Sequence, residues 1–146
     1  MNNKYFLIGV IGIIVAGVFY LTSSVTLSPE DDSSESVDYV SVSSEELEKM
    51  LENKDFVFID VHTPEQEHIP STDFMIPFDE VDKIESVIDN KDQKVVLYCR
   101  SGSMSKIAAN ELVERGYTNI YELNNGMNEW GAKGNNTVPK GSIETL

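Results

Sequence analysis

The sequence predicts an α/β domain, a five-stranded parallel sheet flanked by helices on both faces and preceded by one N-terminal transmembrane helix. Three observations predict it. Short β-branched or aromatic runs alternate with segments of helical period across residues 39–146. One strand-like run, VVLYC at 95–99, passes within a few residues into a helix-period segment. An unbroken apolar run fills residues 5–21.

The apolar run, YFLIGVIGIIVAGVFYL, is long enough to span roughly the 30 Å hydrocarbon core of a bilayer as a helix. No polar face interrupts it, which argues against a helix buried in a soluble core. Lys4 precedes the run and acidic residues follow it. The positive-inside tendency therefore puts residues 1–4 in the cytoplasm, makes 5–24 a transmembrane anchor, and sets the domain on the extracytoplasmic side. The alternative is a cleaved signal peptide and a secreted protein, because the small residues Thr22, Ser23 and Ser24 follow the run. The run is longer than the usual signal core of about 7 to 15 residues and has no A-x-A site, which favours the uncleaved anchor. Residues 25–38 are Ser-rich and acidic, and read as a flexible linker.

A chain of 146 residues suits one domain plus such an appendage. Its formal charge of −14 excludes nucleic acid and acidic membrane surfaces as partners of the folded part. The single cysteine excludes an intramolecular disulfide, so the fold must rest on its core.

The strands drawn from the sequence are 39–42, 56–61, 74–76, 95–99 and 119–123. Between the first two, Ser43 and Glu46 form a capping box ahead of Leu47, Met50 and Leu51, which predicts a helix over 44–53. Val81, Ile84, Val87 and Ile88 keep helical spacing until the turn DNKD. After Cys99, a stripe of Met104, Ile107, Ala108 and Leu112 runs to Gly116, a C-terminal cap. These stripes read as core, not as cofactor contacts. The domain is drawn over 39–140, with 141–146 as a C-terminal tail.

The chemistry concentrates in VVLYCRSGSMSKIAANELVERGY, where a buried strand ends at Cys99 and a helix begins just beyond. In an α/β sheet this sets the thiol at the carboxyl end of a strand, where ligands bind, beneath a helix N-terminus. Free N–H groups, the helix dipole and the charge of Arg100 all favour a thiolate. Gly102 lets the backbone turn tightly and approach a bound anion.

The segment CRSGSMS resembles the active-site loop of the rhodanese family, commonly C-R-x-G-x-R-S. Two more segments are similar to that family in the same order. FIDVHTPEQEHIPSTDFMIPFDEV looks like its D-V-R-x-x-x-E-(Y/F)-x-x-G-H-I-x-G-A segment, and NIYELNNGMNEWGAKG like its closing N-V-Y-x-L-x-G-G-x-x-x-W. The resemblance covers residues 39–140. It implies a sulfurtransferase with no cofactor, in which Cys99 is the nucleophile and becomes a persulfide. The loop N–H groups from Arg100 through Ser101, Gly102, Ser103 and Met104 to Ser105 would stabilise that anion, helped by the Ser103 and Ser105 hydroxyls. The implied partners are small sulfur donors and thiol or cyanide acceptors.

The chain departs from the family pattern at several places. Met104 stands where many relatives carry a second loop arginine, His62 replaces the arginine after D-V, and Glu67 and Ser71 replace two glycines. By the resemblance Asp60 and His62 support the site, Asp60 by hydrogen bonds that fix the active loop. His62 and His68 lack companion cysteines and read as structural, with no metal expected. Trp130 reads as core. Two other functions fit the same fold. A phosphatase or arsenate reductase would need an arginine where Ser105 stands, and a non-catalytic binding module would not need the cysteine.

Overall fold

The structure, a computed structural model, describes residues 39–146. The transmembrane segment and the linker expected over 5–38 lie outside the described residues. Among the described residues no helix is long and apolar enough to cross a membrane.

The sheet has six strands: β1 (Val40–Val42), β2 (Val57–Asp60), β3 (Phe74–Met75), β4 (Val95–Tyr98), β5 (Ile120–Leu123) and β6 (Glu144–Thr145). Their order is β1-β5-β4-β2-β3-β6, and every pairing is parallel. Four helices accompany them: α1 (Ser44–Glu52), α2 (Val81–Ser86), α3 (Ser103–Glu114) and α4 (Gly126–Ala132).

The five expected strands all form, and β6 corrects their number. The segment GSIETL has no apolar alternation and β6 is exposed, so nothing in its side chains announces a strand. It forms by backbone pairing with the open edge of β3, Phe74 opposite Glu144 and Met75 opposite Thr145. The supposed tail is thus part of the sheet. β3 stops before Pro77, which has no N–H to give the ladder. α2 ends two residues earlier than its apolar spacing suggests, because Val87 and Ile88 donate to residues three back, a tightened last turn. α4 was not foreseen. It is seven residues long and starts from left-handed Asn125 and Gly126, a pattern that reads as a turn in sequence.

Alternate residues of the central strands feed two cores. Ile59, Val95, Leu97 and Ile120 meet α2 and α3 through Val81, Ile84, Ala108, Ala109 and Leu112. Phe58, Val96, Tyr98 and Leu123 meet α1 and α4 through Leu47 and Trp130. Each fully buried large side chain contributes about 1.5 to 3 kcal/mol of burial, so the sheet is fixed from both sides. Trp130 is core, as the sequence suggested, and its Nε1–H donates to Asn136 O at 2.8 Å. The expected capping box of α1 also forms: Ser43 Oγ accepts from Glu46 N–H, and Ser43 N–H donates to Glu46 Oε2.

Strand order decides where a site can lie. The chain leaving β2 runs to β3 on one side, and the chain leaving β4 runs to β5 on the other. The crevice between the carboxyl ends of β2 and β4 is the switch point of the sheet, where open α/β sheets bind ligands.

Candidate active site

Two loops meet at that crevice. The first leaves β4 at Cys99 and enters α3 at Ser103. Gly102 makes this short path possible with φ of 89°, a conformation that a side chain disfavours. The turn aims the Gly102 N–H at Cys99 Sγ, 3.2 Å away. Ser105 Oγ lies 3.7 Å from the same sulfur.

α4 holds the loop from below. Met127 N–H donates to Cys99 O and Asn128 N–H to Arg100 O, both at 2.9 Å. Gly126 carries the closest approach: a Cβ there would stand 2.1 Å from Cys99 O. The first turn of α4 and the cysteine loop are therefore one packed unit.

The thiol is 1% exposed and lies buried beneath its own loop. The other loop residues divide by role. Ser101 and Ser103 pair with each other through their hydroxyls at 3.0 Å, away from the sulfur. Met104 packs against the apolar core around α2 and α3, so it is a core residue that also occupies the position of a loop cation. Arg100 is exposed and turns across the crevice, where its Nε–H donates to Gln66 Oε1 at 3.1 Å.

The second loop leaves β2 at Asp60, and Asp60 secures this loop, not the one around Cys99. Its Oδ1 accepts the His62 N–H at 2.9 Å, and its Oδ2 lies 2.9 Å from His68 Nδ1. His68 Nε2 faces Glu65 Oε1 at 3.1 Å, and the His68 backbone exchanges two hydrogen bonds with Val138. His68 is thus a structural post. Tyr98 completes the anchorage, for its buried hydroxyl accepts Ile69 N–H at 3.0 Å and lies 2.8 Å from Thr72 Oγ1. The bond between Arg100 and Gln66 links the loop that Asp60 secures to the cysteine loop.

His62 is 8% exposed and its Nδ1 has no partner among the described residues. Burial, and then the Arg100 charge, lower its pKa, which keeps the ring neutral. Asp60 shows the opposite shift: burial pushes its carboxyl up to about 6, against the hydrogen bonds from His62 and His68. The native state therefore holds this proton more tightly than the unfolded chain does. Its contribution is complete below the unfolded value of 3.8 and is lost as pH rises through about 6. Urea unfolding should show Asp60→Asn gaining on the wild type by on the order of 2 kcal/mol between pH 4 and pH 7. Parallel profiles would contradict this.

One buried group, a single hydroxyl removed from the sulfur, escaped the sequence reading. Glu122, on β5, is 0% exposed, and its Oε2 accepts from Ser105 Oγ at 3.2 Å. The signal was present: an acid in a four-residue strand whose neighbours are apolar must fall inside a central strand. Gly126 was missed because a close backbone approach leaves no mark in a single sequence.

Comparisons with known proteins agree with this geometry. The family model of the rhodanese-like domain matches residues 43–133. A sulfurtransferase of Allochromatium vinosum is 32% identical over 97 residues, covering 64% of this chain and 89% of that protein. The tRNA uridine(34) hydroxylase of Photorhabdus laumondii is 28% identical over 99 residues, 62% of this chain, and the match spans only 28% of that protein's length. Among solved structures, the polysulfide-sulfur transferase homodimer of Wolinella succinogenes superposes with a TM-score of 0.59 at 22% identity, covering 72% of this chain and 82% of that one; at this identity the likeness concerns the fold. With a parallel sheet, a cysteine loop at its switch point and a family model spanning most of the described domain, the chain belongs to the rhodanese-like domain family.

Proposed function

We propose that the chain is a rhodanese-type sulfurtransferase that accepts sulfane sulfur on Cys99 as a persulfide and passes it to a thiol or cyanide. The observation that carries the reading is Cys99 Sγ at the sheet's switch point, under the first turn of α3, with the Gly102 N–H aimed at it from 3.2 Å. The relative of Allochromatium vinosum named as a sulfurtransferase supports it.

In the first step the thiolate attacks the outer sulfur of thiosulfate, polysulfide or a persulfide. A new S–S bond forms, the donor's S–S bond breaks, and its electron pair leaves with sulfite, a shortened sulfide chain or, from a persulfide, the parent thiolate. In the second step an acceptor attacks the outer sulfur and returns Cys99 as thiolate. The protein's part is to hold the sulfur anion near N–H and O–H donors at a helix start.

The loop offers one cation, Arg100, and Met104 is committed to the core. A dianionic donor is therefore held less firmly than a neutral or singly charged sulfane chain. An oxyanion phosphatase reading finds no support at position 105, where the buried Ser105 bonds Gly102 O and Glu122.

Treating the protein with inorganic polysulfide and weighing the Cys99 peptide tests the proposal. It should gain the mass of one sulfur atom and lose it to added thiol. An unreactive Cys99 would leave a binding module as the better account. The proposal also sets the acidic domain outside the cytoplasm on an uncleaved anchor, supported by Lys4 and the apolar run 5–21. Protease added to intact cells should then digest the domain, and protection would overturn that orientation.

A further inference from the structure

Glu122 is a carboxyl shut away from water and joined to Cys99 through one hydroxyl, that of Ser105. Both oxygens face hydroxyl groups: Oε1 accepts from Ser41 on β1, and Oε2 accepts from Ser105 on α3 at 3.2 Å. It lies under the turn of the cysteine loop, since a Cβ on Gly102 would stand 3.9 Å from Oε2. The cations of the cysteine loop and of the first turn of α3 are engaged elsewhere: Lys106 reaches Asn124 Oδ1 at 3.5 Å, and Arg100 reaches Gln66. Tyr39, just before β1, is the other titratable group that faces it, and burial followed by the Glu122 charge raises that phenol's pKa.

The Ser105 hydroxyl has one proton and three acceptors within reach: Gly102 O at 3.1 Å, Glu122 Oε2 at 3.2 Å and Cys99 Sγ at 3.7 Å. Which one it serves depends on the charge of Glu122. Beside a carboxylate, the hydroxyl points at Oε2 and turns a lone pair to the sulfur, which suits a thiol S–H. Beside a neutral acid, Glu122 becomes the donor, and Ser105 is free to donate to a thiolate.

We propose that Glu122, acting through the Ser105 hydroxyl, holds the proton that Cys99 gives up on becoming a nucleophile. The S–H bond breaks as an O–H bond forms on Ser105, and the original Ser105 proton moves to Glu122 Oε2. One negative charge passes from carboxylate to sulfur, and no proton crosses to solvent, from which both groups are sealed. Cys99 Sγ and Glu122 Oε2 both lie within reach of the Ser105 hydroxyl, so in this relay they compete for one proton. Glu122 is a positioning residue here, for it reaches the sulfur only through Ser105. The inference rests on Cys99 being the sulfur carrier.

The test is alkylation of Cys99 by iodoacetamide in the full-length chain across pH. In the wild type the rate should climb in two steps more than about one pH unit apart, as a coupled pair requires. In Glu122→Gln, whose amide can accept from Ser41 and donate to Ser105 as the neutral acid would, the rate should climb in one. A single step at the same midpoint in both proteins would overturn the proposal.

Infrared difference spectra of the wild type keep the question open to test if that variant does not fold. Converting Cys99 from thiol to persulfide with inorganic polysulfide should raise a protonated glutamic acid band that moves on carbon-13 labelling of glutamate. Persulfide formation without that band would overturn the role of Glu122. A two-step alkylation profile in a protein that takes up no sulfur would instead sink the sulfurtransferase reading and leave the proton-sharing pair standing.

Discussion

Cys99→Ser should take up no sulfur from polysulfide and should lower sulfur transfer by about 10⁴-fold or more, since removing a covalent nucleophile leaves only the uncatalysed route. The fold should persist. A serine hydroxyl can still accept the Gly102 N–H that now reaches Sγ, so the expected loss is on the order of 1 kcal/mol. That loss is not zero, because the position is buried against the core around α3. Mass spectrometry of the Cys99 peptide and urea unfolding separate the two effects. Transfer by a folded Cys99→Ser chain above the rate without protein would end the assignment.

Gly126→Ala should damage both stability and site. The added Cβ would lie 2.1 Å from Cys99 O and 2.9 Å from Arg100 C, both backbone atoms that cannot swing aside. The backbone there is also left-handed, with φ of 52°, which alone costs about 1 to 2 kcal/mol for a residue with a Cβ. Together these should cost at least about 3 kcal/mol, and a chain that stays folded should carry a displaced cysteine loop and a large loss of sulfur uptake. Gly131→Ala is the matched control within α4. It is exposed, nothing lies within 4 Å of its added Cβ, and it should stabilise by about 0.5 to 1 kcal/mol through helix propensity. Equal effects of the two substitutions would show that contact with the cysteine loop is not what Gly126 provides.

Much of this architecture could be read from the letters because the central elements state their burial openly. VVLY is apolar on both faces, as a parallel central strand must be, and Ser43 with Glu46 marks the start of α1 in three dimensions as in sequence. The cysteine loop was legible for the same reason, since strand, glycine turn and helix follow one another without a gap. What stayed hidden depends on groups distant in the chain. β6 exists through the backbone of β3, and the short α4 through two left-handed residues. Asp60 was placed on the wrong loop because register alone cannot say which way a side chain turns at a strand end. Glu122 acquires meaning only once β5 pairs with β4 and brings it beneath Ser105.

The grip of α4 on the cysteine loop also has a consequence in time. A chain growing on the ribosome completes Cys99 and α3 before it has made Glu122, Gly126, Met127 or Asn128, which close the site from below. Until that segment emerges, the cysteine loop stands on an unfinished sheet, with the Cys99 carbonyl still bare. The underside of the cysteine loop is thereby completed only at the end of synthesis, once β5 and α4 have been made.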